Sequence, residues 1–160
     1  MFTCPKDFSP LRFRTHQAEC GQGHVFEQLY PRCFSYQTSG ERTQESEQQS
    51  RNLYSRIADY YDASIEWLFD SVYQDEQSVR EEMISELRVG SGAKVLELGA
   101  GTGRDSVLIS RLVGDSGLLV AQDISYEMLE HLHRREDRGE FTCRVETALG
   151  PVEELPFASD

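Results

Sequence analysis

Two sets of residues in this 160-residue chain have the types and spacing to do chemistry. The first is Glu97-Leu-Gly-Ala-Gly-Thr-Gly103, an acid followed by three alternating glycines. Glycine suits a tight turn where a ligand must approach backbone N–H groups with no Cβ in the way. The spacing departs from the dinucleotide fingerprint G-x-G-x-x-G, because Arg104 holds the sixth position from Gly99. Asp123 belongs with this set. A carboxylate at the C-terminal end of a strand can accept both hydroxyls of a ribose, and open α/β sheets bind ligands outside those ends. The second set is Cys4, Asp7, Cys20 and His24, spaced C-x2-D-x12-C-x3-H. Cysteine, histidine and aspartate can all ligate tetrahedral zinc. Two alternatives stand beside this reading: Cys33 as the fourth ligand, or a β appendage that has lost its metal.

The elements that must position these residues follow from periodicity. Val95, Leu96 and Leu98 form a short apolar run, as in a strand buried on both faces. Val107, Leu108, Ile109, Leu112 and Val113 recur at helical spacing after the glycines. Strand, glycine turn and helix are therefore expected in that order. Residues 117–123 form a second strand that ends on Asp123, and Ser125 caps the next helix, with Met128, Leu129 and Leu132 inward. His131 and His133 are placed at the surface of that helix. Phe141–Thr147 alternates apolar and polar, which suggests a third strand near a sheet edge. Upstream, a helix beginning at Leu53 carries Ile57, Tyr60, Tyr61, Ile65 and Leu68 near one face. A second helix, Gln74–Leu87, presents Val79, Met83, Ile84 and Leu87. Residues 37–52 contain no large apolar side chain and read as a polar linker. The division is thus a small cysteine-bearing module over 1–36, a linker over 37–52 and an α/β domain over 53–160.

The motif Glu97-x-Gly99-x-Gly101-x-Gly103 resembles motif I of class I S-adenosylmethionine-dependent methyltransferases. The resemblance implies a doubly wound, Rossmann-like sheet, with strand order 3-2-1 present in this chain. It implies S-adenosyl-L-methionine as cofactor, with Glu97 at its amino-acid end and the glycine backbone beneath it. Asp123 would take the ribose and Ile124 would pack on the adenine. Gly150-Pro-Val-Glu-Glu-Leu-Pro-Phe157 resembles the family segment G-D-A-E-x-L-P-F. Pro151 replaces the usual Asp, so the Val152 backbone N–H is left to reach the adenine. Ile57-Ala-Asp-Tyr-Tyr-Asp62 resembles the helix before motif I in quinone C-methyltransferases, where an aromatic covers the cofactor; Tyr60 or Tyr61 is the candidate, with Tyr61 taken as the site residue. Packing of the helix on a sheet is the competing role for each tyrosine. The N-terminal spacing resembles the zinc ribbon of bacterial 23S rRNA guanine-N1 methyltransferases, which implies Cys4, Asp7, Cys20 and His24 as metal ligands. Asp7 stands where that family has cysteine, and a hard carboxylate weakens such a site.

Composition narrows the function classes. The net charge of −12 argues against nucleic-acid binding by general electrostatics, although Lys6, Arg12 and Arg14 lie close together. No apolar run approaches a membrane span and no signal sequence opens the chain, so a cytoplasmic location and no membrane partner are expected. Four cysteines there suggest metal or free thiols before disulfides. The acceptor of the methyl group is expected to be a small molecule, with RNA as the alternative raised by the ribbon. No catalytic base is assigned. A non-catalytic module that binds the donor or a partner is the second functional class, and a nicotinamide-dependent oxidoreductase the third. In the family's strand order, Val95–Leu98 would lie at an open sheet edge, where chain–chain association or completion by further sequence is expected.

Overall fold

The strand, glycine turn and helix around Gly99–Gly103 are present in a computed structural model of the chain, which describes residues 2–30, 33–36 and 45–158. Four short strands come first: β1 (Leu11–Phe13), β2 (Gln17–Cys20), β3 (Val25–Tyr30) and β4 (Cys33–Ser35). Two helices follow, α1 (Glu45–Ser71) and α2 (Glu76–Ser85). Then β5 (Lys94–Leu98), α3 (Arg104–Val113), β6 (Leu118–Asp123), α4 (Tyr126–Asp137) and β7 (Arg144–Leu149) alternate. A 3-10 turn, Val152–Glu154, comes after them.

The strands form one sheet in the order β1-β2-β3-β4-β7-β6-β5. Its β7-β6-β5 part is parallel and reproduces the expected order 3-2-1. The N-terminal strands pair antiparallel with one another, and β4 then pairs in parallel with β7, from Cys33 opposite Thr147 to Ser35 opposite Leu149. The N-terminal module, expected to precede the sheet, is therefore part of it. For the same reason β7 is an inner strand, not one near an edge as its alternation suggested.

Two apolar clusters lie on opposite faces of this sheet. On one, Leu119, Ala121, Val145 and Leu149 pack with Ile109 and Val113 of α3, Leu129 and Leu132 of α4, and Ile84 of α2. On the other, Val120 and Ala148 pack with Phe2, Leu11, Phe26, Phe34 and Tyr36. The N-terminal module thus serves as the second covering layer that a parallel sheet needs. It covers the sheet only as far as β6. Leu96 and Leu98, in register with Val120 and Gln122, remain 39% and 52% exposed. The expected burial of β5 on both faces is corrected accordingly: Val95 packs against the helix-side cluster, while the other face of β5 is open.

Three further expectations need adjustment. Helix α1 starts at Glu45, so part of the polar 37–52 stretch is helical; residues 37–44 lie outside those described. Half of its predicted apolar face is uncovered, with Leu53, Tyr60 and Leu68 exposed, and Trp67 beside that face is exposed as well. His133 is half-buried, with Nε2 2.9 Å from the Thr147 hydroxyl, and not a surface side chain.

Ion pairs attach α1 and α2 to the domain where apolar contact is sparse. Arg104 meets Glu76 through two nitrogens, at 2.7 and 2.5 Å. Arg80 joins Glu76 to Asp105 at 2.6 Å each. Asp62 of α1 accepts from the Thr102 hydroxyl and from Arg135, both at 2.5 Å. Thr102 belongs to the glycine turn, so α1 braces that turn from outside.

Candidate functional site

Gly99, Gly101 and Gly103 each have positive φ, at 69°, 56° and 83°, which favours glycine at all three. They differ in what surrounds them. A Cβ at Gly99 would meet nothing within 4 Å, so that peptide faces open space. A Cβ at Gly103 would lie 2.8 Å from Leu132 Cγ, so that glycine permits α3 and α4 to approach. The first two glycines line an open cavity, and the third is a packing residue.

The turn and the end of β6 open into one cavity of about 460 Å³. Gly99, Gly101, Gln122, Asp123 and Ile124 form its floor. Val152 and Glu153 line it after β7, Met128 on α4, and Ser50, Tyr54 and Tyr61 on α1. Six of the residues expected at the cofactor site from sequence are therefore brought together: Gly99, Gly101, Asp123, Ile124, Val152 and Tyr61. Of the two candidate tyrosines, Tyr61 lies on the wall, and Tyr60 is 71% exposed and does not.

Asp123 is 7% exposed, and its two oxygens are held differently. Oδ2 accepts from the Gly101 N–H at 2.8 Å, and Oδ1 accepts from the Ser125 N–H at 2.9 Å. Burial raises its pKa above the ordinary carboxylate value, against these backbone bonds. Each oxygen keeps lone-pair capacity for a further donor. Ser125 caps α4 as expected, its hydroxyl accepting from Met128 N–H at 3.3 Å.

Glu97 and Gly103 do not reach the wall. The Glu97 carboxylate accepts a 2.6 Å hydrogen bond from Ser106 on α3, behind the turn. Burial pushes its pKa up to about 7. Strand alternation explains the placement: Glu97 points to the helix side, whereas the cavity lies past the strand's end.

Gln122, which the sequence places within the second strand, is 1% exposed and central to the site. Its Oε1 accepts from the Gly99 N–H at 3.3 Å, and its Nε2 donates to the Gly150 carbonyl. It thereby ties the glycine turn to the loop after β7. A polar residue in an otherwise apolar strand, Leu-Leu-Val-Ala-Gln-Asp, was the signal available.

A second constellation stands in the N-terminal module. Cys4 and Asp7 lie in the first loop, and Cys20 and His24 flank the β2–β3 turn. One ligand atom from each lies within 4.8 Å of all the others. His24 Nδ1 is 3.5 Å from Cys4 Sγ, 3.4 Å from Cys20 Sγ and 3.3 Å from Asp7 Oδ2, and Cys20 Sγ is 3.5 Å from Asp7 Oδ2. A tetrahedral zinc with bonds of about 2.3 Å to sulfur and about 2.0–2.1 Å to nitrogen or oxygen places S···N and S···O pairs about 3.5 Å apart and an N···O pair about 3.3 Å apart. The observed spacings fit that figure. Hydrogen bonding from Ser9 holds the Asp7 carboxyl well below the usual carboxylate range, so it is available as an anion. Cys33 is not a member of the group: it is fully buried in the helix-side cluster, where burial pushes its thiol up to about 11. The alternative of Cys33 as fourth ligand is corrected on that ground.

Residues 95–160 match the family described as "Methyltransferase domain". The demethylmenaquinone methyltransferase of Symbiobacterium thermophilum is 32% identical over 114 residues, 71% of this chain and 44% of that protein. The ubiquinone/menaquinone biosynthesis C-methyltransferase UbiE of Coxiella burnetii is 29% identical over 128 residues, 79% of this chain and 49% of that protein. Among solved structures, an S-adenosylmethionine-dependent methyltransferase from Aquifex aeolicus is similar, with 26% identity, a TM-score of 0.37, and coverage of 42% of this chain and 37% of that one. The chain spans about half the length of the curated relatives it matches.

Proposed function

We propose, from a chain whose residues 95–160 match a methyltransferase domain family, that its cavity binds S-adenosylmethionine as methyl donor. The observation that carries this is the meeting of the open Gly99–Gly101 backbone and the buried Asp123 carboxylate in one cavity, joined by the Gly101–Asp123 hydrogen bond. A volume of about 460 Å³ lies within the ordinary range for small-molecule sites. Asp123 accepts the ribose hydroxyls, the glycine backbone lies under the methionine part, and Ile124 with the Val152 peptide takes the adenine. Tyr61 covers the site from α1. Glu97, held behind the turn by Ser106, has a positioning part. When bound, the donor's sulfonium makes its methyl group electrophilic, and the protein's contribution is to hold and orient.

The acceptor is a small molecule on this reading, supported by the relatives named for quinone methylation and by the −12 charge, which disfavours RNA. No helix among the described residues is long and apolar enough to cross a membrane. A cytoplasmic location and association through the open β5 edge belong to the same reading. Zinc held by Cys4, Asp7, Cys20 and His24 completes it, supported by the tetrahedral spacings, and metal analysis of zinc-supplied protein should find about one ion per chain.

Calorimetric titration tests the donor. S-adenosylmethionine and S-adenosylhomocysteine should both bind and NAD should not. Asp123→Ala should weaken binding about ten- to hundred-fold, the worth of hydrogen bonds to a charged acceptor. Preference for NAD, or an unchanged affinity in Asp123→Ala, overturns the assignment.

A further inference from the structure

We propose that the N-terminal metal group acts as a clamp on the adenine-side loop, so that zinc binding and methyl-donor binding strengthen each other. The inference rests on the donor and metal sites proposed above and goes beyond both. Its ground is the way the module meets the stretch from Leu149 to Phe157, which carries Val152 and Glu153 into the cavity.

The contacts are direct and come from both ends of the module. At the leading end, Thr3, next to the ligand Cys4, donates its N–H to the Pro156 carbonyl at 2.7 Å. Phe2 stacks near Phe157, with ring centroids 5.5 Å apart, and near Phe34 at 5.0 Å. At the trailing end, the Tyr36 N–H donates to the Leu149 carbonyl at 3.1 Å. The Tyr36 hydroxyl donates to the Pro151 carbonyl at 2.7 Å, and its ring lies so close over Gly150 that a Cβ there would collide with it. Tyr36 is 1% exposed, so this bond has no water to replace it. From Gly150 the connection passes to Gln122 and on to the Gly99 turn. Thus a continuous set of hydrogen bonds and ring contacts, buried at Tyr36 and Gln122, runs from the module to the floor of the donor cavity.

A metal ion would join the first loop, through Cys4 and Asp7, to the β2–β3 turn, through Cys20 and His24. Cys4 would then be fixed from two sides, and with it the Thr3 and Phe2 contacts on Pro156 and Phe157. Without the ion, the backbone bonds internal to the first loop are the short-range Cys4 N–H to Ser9 O and Phe8 N–H to Cys4 O and the Thr3–Pro10 bridge, and none of them ties it to the β2–β3 turn. Ordering the loop that carries Val152 in advance lowers the entropy that donor binding must supply. By linkage the coupling runs equally in both directions.

The test titrates S-adenosylhomocysteine into the 160-residue chain loaded with zinc, stripped by chelator, and zinc-loaded with Tyr36→Phe. Stripping should weaken the affinity about five-fold or more, the lower end of ordinary coupling. Tyr36→Phe, which keeps the ring, should retain about one zinc and still weaken S-adenosylhomocysteine several-fold. Hydrogen exchange on the stripped chain should show lost protection in residues 2–36 and 149–157, while β5 and β6 stay protected. Equal affinity with and without zinc overturns the clamp and leaves the donor site standing. Failure of every form to bind S-adenosylhomocysteine overturns donor site and clamp together, and failure to take up zinc overturns metal site and clamp. Protection lost equally in β5 and β6 also overturns it, since the ion would then hold the whole fold.

Discussion

Glu97 and Gly103 show how far a motif residue's work depends on its neighbours. Glu97 sits before the glycines, but its carboxylate is turned to Ser106 and desolvated, and burial lifts its pKa from 4.5 to about 7. The folded state therefore binds a proton more tightly than the unfolded chain. The stabilising contribution is fully present below about pH 4.5 and is lost as pH rises through about 7. Thermal unfolding followed across that window should show Tm falling with pH. Glu97→Gln should remove this component and raise stability near pH 8 by on the order of 2–3 kcal/mol. At Gly103 the contact with Leu132 and the positive φ act together, so Gly103→Ala should destabilise by about 2–4 kcal/mol in denaturant unfolding. Gly99→Ala meets no atom, so it should cost about 1 kcal/mol of stability while blocking the donor.

Among the elements, α1 and α2 are held more by charge than by apolar contact. Arg104 is the residue that broke the dinucleotide pattern, and its guanidinium forks onto Glu76 at the N-terminus of α2. Both side chains are under one-fifth exposed, so the pair is screened little by solvent. Arg104→Ala leaves Glu76 with Arg80 alone among the described residues and should destabilise by about 2–4 kcal/mol. Loss of protection from hydrogen exchange confined to α1 and α2 would distinguish undocking of these helices from general unfolding. The sequence made the central elements legible: β5, α3, β6 and α4 follow from apolar periodicity and from Ser125 as a cap. Asp123 and Val152 in one cavity were legible through the family resemblance. What escaped was non-local. Gln122 reads as a mere interruption of an apolar strand until Gly99 and Gly150 are brought to it. The start of α1 was hidden because residues 45–52 carry no apolar side chain, and helical periodicity is visible only where a face is apolar.

For the whole molecule, the least expected feature is that one sheet runs through both parts of the chain. No pattern in Cys33–Ser35 announces that it pairs with Arg144–Leu149, since strand partners distant in sequence leave no local mark. The consequence is that one face of the sheet is covered by the N-terminal module and not by helices, and that cover stops short of β5. Leu96 and Leu98 point from an edge strand that no described residue pairs on its outer side. Unpaired N–H and C=O groups beside exposed leucines form a template for another strand. The 160-residue chain should therefore associate as its concentration rises, with sedimentation velocity showing species heavier than the monomer. Leu96→Lys places a charge on the open face without touching the helix-side core, and should shift the population toward monomer. Sedimentation of the unaltered chain as a single monomer across the range would rule out β5 as an association surface. Association that Leu96→Lys leaves unchanged would move it to the exposed Tyr60, Trp67 and Leu68 of α1.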